Sequence, residues 1–225
     1  MKRRACLTAL PALLLGGCVT GPEQFAKTDI DRIADLHRRE ANASLRRLAE
    51  KLYRRNPREW KKGGHASIEA ALAQLGRLPA PGTAAPRGTA LILAGLRDDY
   101  ARDRVAAFGD GLMQMIDDAF DGKTEFFVLD DLDAQKLYNA ARNVEIAAWK
   151  LANTQRAQPE GDLPAGTPLL LSNAMGPIQN LSFEREFGRL IGSLDTLSQI
   201  VADKTNRTIV KVVQNLATAV FLPIK

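Results

Sequence analysis

Cysteine and histidine are nearly missing from this chain. Two of each occur in 225 residues. Both cysteines, Cys6 and Cys18, lie near the N-terminus, so the chain beyond them has no thiol for a disulfide or a cysteine-held metal. His37 falls at the edge of an apolar helical arc, where a packed or partly exposed imidazole is the expected role. No serine sits in a Gly-x-Ser-x-Gly context. Gly122-Lys123-Thr124 ends like a phosphate loop, but Asp117 occupies the position of its first glycine and no strand precedes it. A calcium loop from Asp117 fails at Ala119 and Val128, which offer no side-chain oxygen. The sequence therefore designates no catalytic, cofactor-binding or metal-binding residues. The longest early apolar run, Ala9 to Leu15, is far short of the roughly 20 residues of a spanning helix.

What the N-terminus does contain is ordered. Lys2-Arg3-Arg4 precedes that apolar run, which ends in Leu15-Gly16-Gly17-Cys18. A basic n-region, a short apolar core and small residues form a secretory signal. The Leu-Gly-Gly-Cys ending resembles the lipobox of bacterial lipoproteins. The resemblance implies cleavage before Cys18, lipidation of Cys18, and attachment to a membrane through acyl chains. Val19 stands where an inner-membrane retention aspartate would, which implies the outer membrane and the periplasmic side. Three segments follow: a signal peptide at 1–17, a lipidated tether at 18–27, and one domain at 28–225. The tether reaches at most roughly 30 Å. Cleavage removes Cys6 and lipid consumes Cys18, so no intrachain disulfide is expected. Without Lys2, Arg3 and Arg4 the balance is 28 basic against 26 acidic residues, and the formal charge falls from +5 to +2. That small excess, in that compartment, argues against a nucleic-acid partner.

The domain reads as helical throughout. Thr28 and Asp31 form a capping-box-like start for a helix to about Arg55, with Ile30, Ala34, Ala41, Leu45, Leu48 and Leu52 on one arc. Asn56-Pro57 stops it, and Pro57 opens a short turn through Trp60. Ser67 to Leu75 is a further short helix with Gly76 behind it. After a Pro/Gly-rich linker at 79–86, one long helix is expected from Thr89 to Phe120, bent at Gly109 or Gly111 and buried all round over its first residues. Another is expected from Asp133 to Gln155, followed by a second linker at 159–168. Phe183, Phe187, Leu190, Leu194, Leu197 and Val201 alternate spacings of four and three, the seam of a packed helix capped at Ser182. A last helix is expected from Asn206 to Phe221, apolar over an arc near 200° and placed in the middle of the bundle, or else docked to a partner or membrane. No alternating strand and no repeat is visible. The fold class is all-α: an irregular bundle of long antiparallel helices with two Pro/Gly-rich connections.

Two charged faces stand out. Arg38, Arg39, Arg46, Arg47 and Arg54 belong to arginine pairs recurring every eight residues, opposite the apolar arc of the first helix. Asp35 is spaced to reach Arg39, and Glu50 to reach Arg54. On the long third helix Asp99, Asp103, Asp110, Asp117 and Asp121 would share a sector of about 40°. These faces either pair inside the protein or serve an outside partner. The arginine face is the candidate interaction surface. The functional expectation is a non-enzymatic outer-membrane lipoprotein, a helical adaptor or scaffold for another envelope protein. A binding module for an anionic envelope ligand, such as phospholipid headgroups, is the second reading, and a hydrolase with an unrecognised site the third.

Overall fold

The structure is a computed structural model that describes residues 27–77, 85–128, 130–175 and 179–224. The signal peptide at 1–17, Cys18 with nearly all of the tether, and the linker from 79 to 84 lie outside the described residues.

Local chemistry sets the helix boundaries. α1 spans Asp29–Arg55, and its cap is a reciprocal box. The Thr28 hydroxyl accepts from the Asp31 N–H at 3.3 Å, and the Asp31 carboxylate accepts from the Thr28 N–H at 2.7 Å. α2 (Pro57–Lys62) opens on its proline, and α3 (Ile68–Leu72) is capped by the Ser67 hydroxyl. α4 is Gly88–Gly95 and α5 is Arg104–Ala119. α6 (Ala134–Asn153) starts at Asp133, whose carboxylate takes the N–H groups of Gln135 and Lys136. Two-residue strands β1 (Ala174–Met175) and β2 (Gln179–Asn180) pair antiparallel. α7 spans Ser182–Thr205; Ser182 is its first residue rather than its cap, and the Asn180 side chain accepts the Ser182 N–H.

The molecule is an all-α bundle built on α1, α5, α6 and α7. His37 of α1 meets Ser193 of α7 while Lys51 reaches Ser182, so these two helices run antiparallel. Arg142 of α6 pairs with Asp195 of α7. The four-three seam of α7 is buried along its whole length, and Phe187 stacks edge-on against Phe108 of α5 at 6.5 Å. Among the described residues no helix is long and apolar enough to cross a membrane.

Two expected helices are corrected. The long helix from Thr89 to Phe120 is two helices, because Asp103 leaves the helical path to cap α5 and accepts the Ala106 N–H at 2.9 Å. α4 then folds back onto α5 and buries one side only; Leu93 faces outward. The last helix, from Asn206 to Phe221, does not form. Asn206 adopts a left-handed conformation (φ 50°) and ends α7, with the Arg207 N–H returning to the Ala202 carbonyl at 3.0 Å. The β-branched run Thr208-Ile209-Val210, resumed at Val212-Val213, then favours extended backbone.

Gly111 is a packing contact rather than a bend. A Cβ there would lie 2.6 Å from Ile92 Cγ1 and 2.8 Å from the Gly88 carbonyl oxygen, across the α4–α5 crossing. Alanine would gain about 1 kcal/mol of helix propensity but overpack the crossing by about 1–3 kcal/mol. Gly111→Ala is therefore expected to lower the unfolding midpoint. Gly188→Ala in α7, where a Cβ meets nothing within 4 Å, is expected to raise it. Denaturant titration of the two variants checks the opposite signs.

Candidate interaction surface

The arginine face is dispersed. Eight residues advance a helix about 80° beyond two turns, so successive pairs drift from one flank of α1 to the other. Arg38 pairs with Asp117 of α5, and Arg47 donates to Glu186 of α7 at 3.1 Å. Arg54 stays on its own helix with Glu50. Arg46 reaches only the Leu72 carbonyl at 3.3 Å, and Arg39 is exposed without an ion-pair partner among the described residues. Asp35 does not take Arg39. It is buried and bonds Lys27 and the Phe126 N–H instead.

The aspartate stripe dissolves with the helix that would have carried it. Asp99 pairs with Arg97, Asp103 caps α5, Asp110 accepts the Gly76 N–H at 2.8 Å, and Asp121 takes Lys136 at 2.6 Å. Only Asp117 meets the arginine face.

The buried polar groups were not visible as a set in the sequence. Glu186 of α7 binds Arg47 and Lys51 together. Burial alone would raise its carboxyl, but those two cations outweigh burial and hold it below the ordinary range. Tyr53 donates to Asp103 at 2.8 Å, and burial first, then Asp103, pushes the phenol upward. Asp103 and Asp110 share a cleft of about 550 Å³ with His65, Arg77, Tyr100 and Arg102. Burial raises the Asp110 carboxyl, and Asp103 adds to the shift. Among the described residues no three His, Cys, Asp or Glu side chains are grouped to hold a metal.

The second linker is held in place by charge. Glu160 meets Lys62 of α2 at 2.7 Å and the buried Arg156. Its carboxyl is held down to about 2, by the Lys62 bond foremost and by Arg156 next. A depressed folded value stabilises the folded form above the ordinary value of 4.5, and that contribution is lost as pH falls from there toward 2. Protection factors of residues 156–167, with the intrinsic pH dependence of exchange divided out, are expected to fall over that window ahead of those of α1. Glu160→Gln should remove the step.

The most unusual surface is the C-terminal strap, residues 206–224. Residues 207–213 lie along α6 without helix, a turn at 216–218 closed by Gln214 on Val220 reverses the chain, and 221–224 return along the same helix, whose side chains hold the backbone of both runs. The Gln135 amide accepts the Val210 N–H at 2.8 Å and donates to the Val210 carbonyl at 3.1 Å. The Tyr138 hydroxyl accepts the Val212 N–H at 3.1 Å. Asn143 brackets Leu222 in the same two-handed way, and Asn139 donates to the Pro223 carbonyl. Gln135, Asn139 and Asn143 recur every four residues, one polar ridge on α6. The strap leaves several apolar side chains open. Val213 is 97% exposed, Val220 70% and Val210 69%. The sequence marked these valines as an apolar surface but assigned them to the wrong backbone. The signal that separates the two is their β-branching, together with an apolar arc too wide for one helix contact.

The fold and this surface define a class, a helical bundle with an exposed, non-helical C-terminal strap. No family model, no curated protein and no solved structure matches the chain.

Proposed function

We propose that this protein is a lipid-anchored component of the bacterial outer membrane, acylated at Cys18 and facing the periplasm. In this reading it is a non-enzymatic adaptor that docks another envelope protein. The strap carries the reading. Three valines and Leu216 stand in water on a segment that the protein pins by at least five side-chain hydrogen bonds. Pinning a backbone while leaving its apolar side chains outside orders a surface for contact. Lipidation rests on the lipobox resemblance. The exposed Arg39 and Arg46, with Arg207 and Lys211 on the strap, support the second reading, a module for anionic phospholipid headgroups.

Cys18→Ala is expected to leave an uncleaved precursor without acyl label; normal maturation and labelling would refute the anchor. Val210→Asp with Val213→Asp alters only exposed side chains, so stability should hold. A stoichiometric partner in a mild-detergent pulldown of the full-length protein should be lost. Salt-sensitive binding to anionic vesicles, without such a partner, would select the headgroup reading.

A further inference from the structure

The strap has a second edge. Val210 and Val212 turn both their N–H and C=O groups toward α6, where Gln135 and Tyr138 take them. Residues two apart that point their backbone groups the same way define β geometry. The groups of Ile209, Lys211 and Val213 therefore point away from the helix. They carry no hydrogen bond among the described residues; Lys211 is exposed and Val213 almost fully so. The protein thus displays one strand whose inner edge is satisfied by side chains and whose outer edge is bare. Such an edge is a template for another strand.

We propose that residues 209–213 receive an extended segment of a partner protein as an added β-strand, a segment apolar at alternate positions and carrying a carboxylate. This rests on the adaptor reading and names how the partner is held. Three observations choose the occupant. Bare N–H and C=O groups call for a backbone rather than for lipid tails, which satisfy neither. From Asn206 to Ile224 the strap has Arg207 and Lys211 and no carboxylate, so its charge complements an acidic segment. A second copy would set these cations against their own counterparts. Backbone bonds along the edge supply affinity; with the carboxylate opposite Lys211, the alternate apolar side chains lie beside Val210 and Val212.

The test uses the mature full-length protein in detergent micelles and the acetylated, amidated peptide Thr-Val-Thr-Val-Glu-Val-Thr-Val-Thr. Binding should slow amide exchange of Ile209, Lys211 and Val213 at least tenfold and leave Val210 and Val212, already bonded, nearly unchanged. Lys211→Pro removes one outward N–H and should abolish binding. Lys211→Glu should weaken this peptide at least tenfold and strengthen its lysine-centred analogue, and this pair decides the matter if the proline variant misfolds. No binding, or binding without protection of the three outward amides, overturns the proposal. So does protection by vesicles of phosphatidylglycerol and phosphatidylethanolamine in place of the peptide, or a concentration-dependent dimer through the strap. If the pulldown partner survives Lys211→Pro but is lost with Val213→Asp, the adaptor reading stands and strand addition falls.

Discussion

Arg104→Ala is expected to destabilise the protein by about 3 kcal/mol, because it strips donors from the buried Gly95 carbonyl and two part-buried ones, at about 1–3 kcal/mol for a buried group and less where water can replace the donor. Arg104 is 2% exposed. Its guanidinium donates to the carbonyls of Gly95 at 2.8 Å, Arg97, and Asp98 at 2.9 Å, the peptide turn that separates α4 from α5. Its backbone N–H is fixed by the buried Glu59 carboxylate at 2.8 Å. One planar fork thus supplies the turn with the donors a helix would otherwise provide. Lysine keeps the charge but cannot span three acceptors, so Arg104→Lys should recover less than half the loss. Urea unfolding of both variants is the check. A change within about 0.5 kcal/mol would mean the turn holds itself.

Leu194→Ala is the other large effect, expected at about 2–5 kcal/mol for a buried leucine that leaves a cavity. Leu194 is 1% exposed in the α7 seam. Val213→Ala provides the contrast. A side chain 97% exposed contributes almost nothing to folding, and its loss should be neutral. Leu194→Ala without a stability change would mean that the seam does not close against the rest of the bundle. A costly Val213→Ala would mean that the strap is covered within the protein itself.

The contrast between these residues also marks how far the sequence could be read. Thr28 with Asp31, Ser67, and Asp133 announce helix starts because both partners of each cap lie within a turn. The α7 seam is legible because one face meets a continuous core. Asp103 is different. At four residues from Asp99 and seven from Asp110 it satisfies helical spacing, so periodicity runs straight through the break. What pulls it out is Tyr53, fifty positions away, together with Arg104 folding back on the turn. Asn206 stands at a helix end rather than a helix start, and only the β-branched residues behind it argue for extension. The arginine pairs were legible as a repeat, yet their partners Asp117 and Glu186 belong to different helices, which spacing along α1 cannot show. The amides of Gln135, Asn139 and Asn143 read as ordinary polar helix positions until the strap lies against them.

The central claim is that residues 209–213 form an extended strand bonded on one edge and bare on the other. Amide exchange at residue resolution on the full-length protein tests it most directly. The predicted pattern alternates: Val210 and Val212 exchange slowly, while Ile209, Lys211 and Val213 exchange at nearly unstructured rates. Uniform protection from Ile209 to Val213 with helical carbon shifts would contradict it, and would return this segment to the bundle as a buried helix.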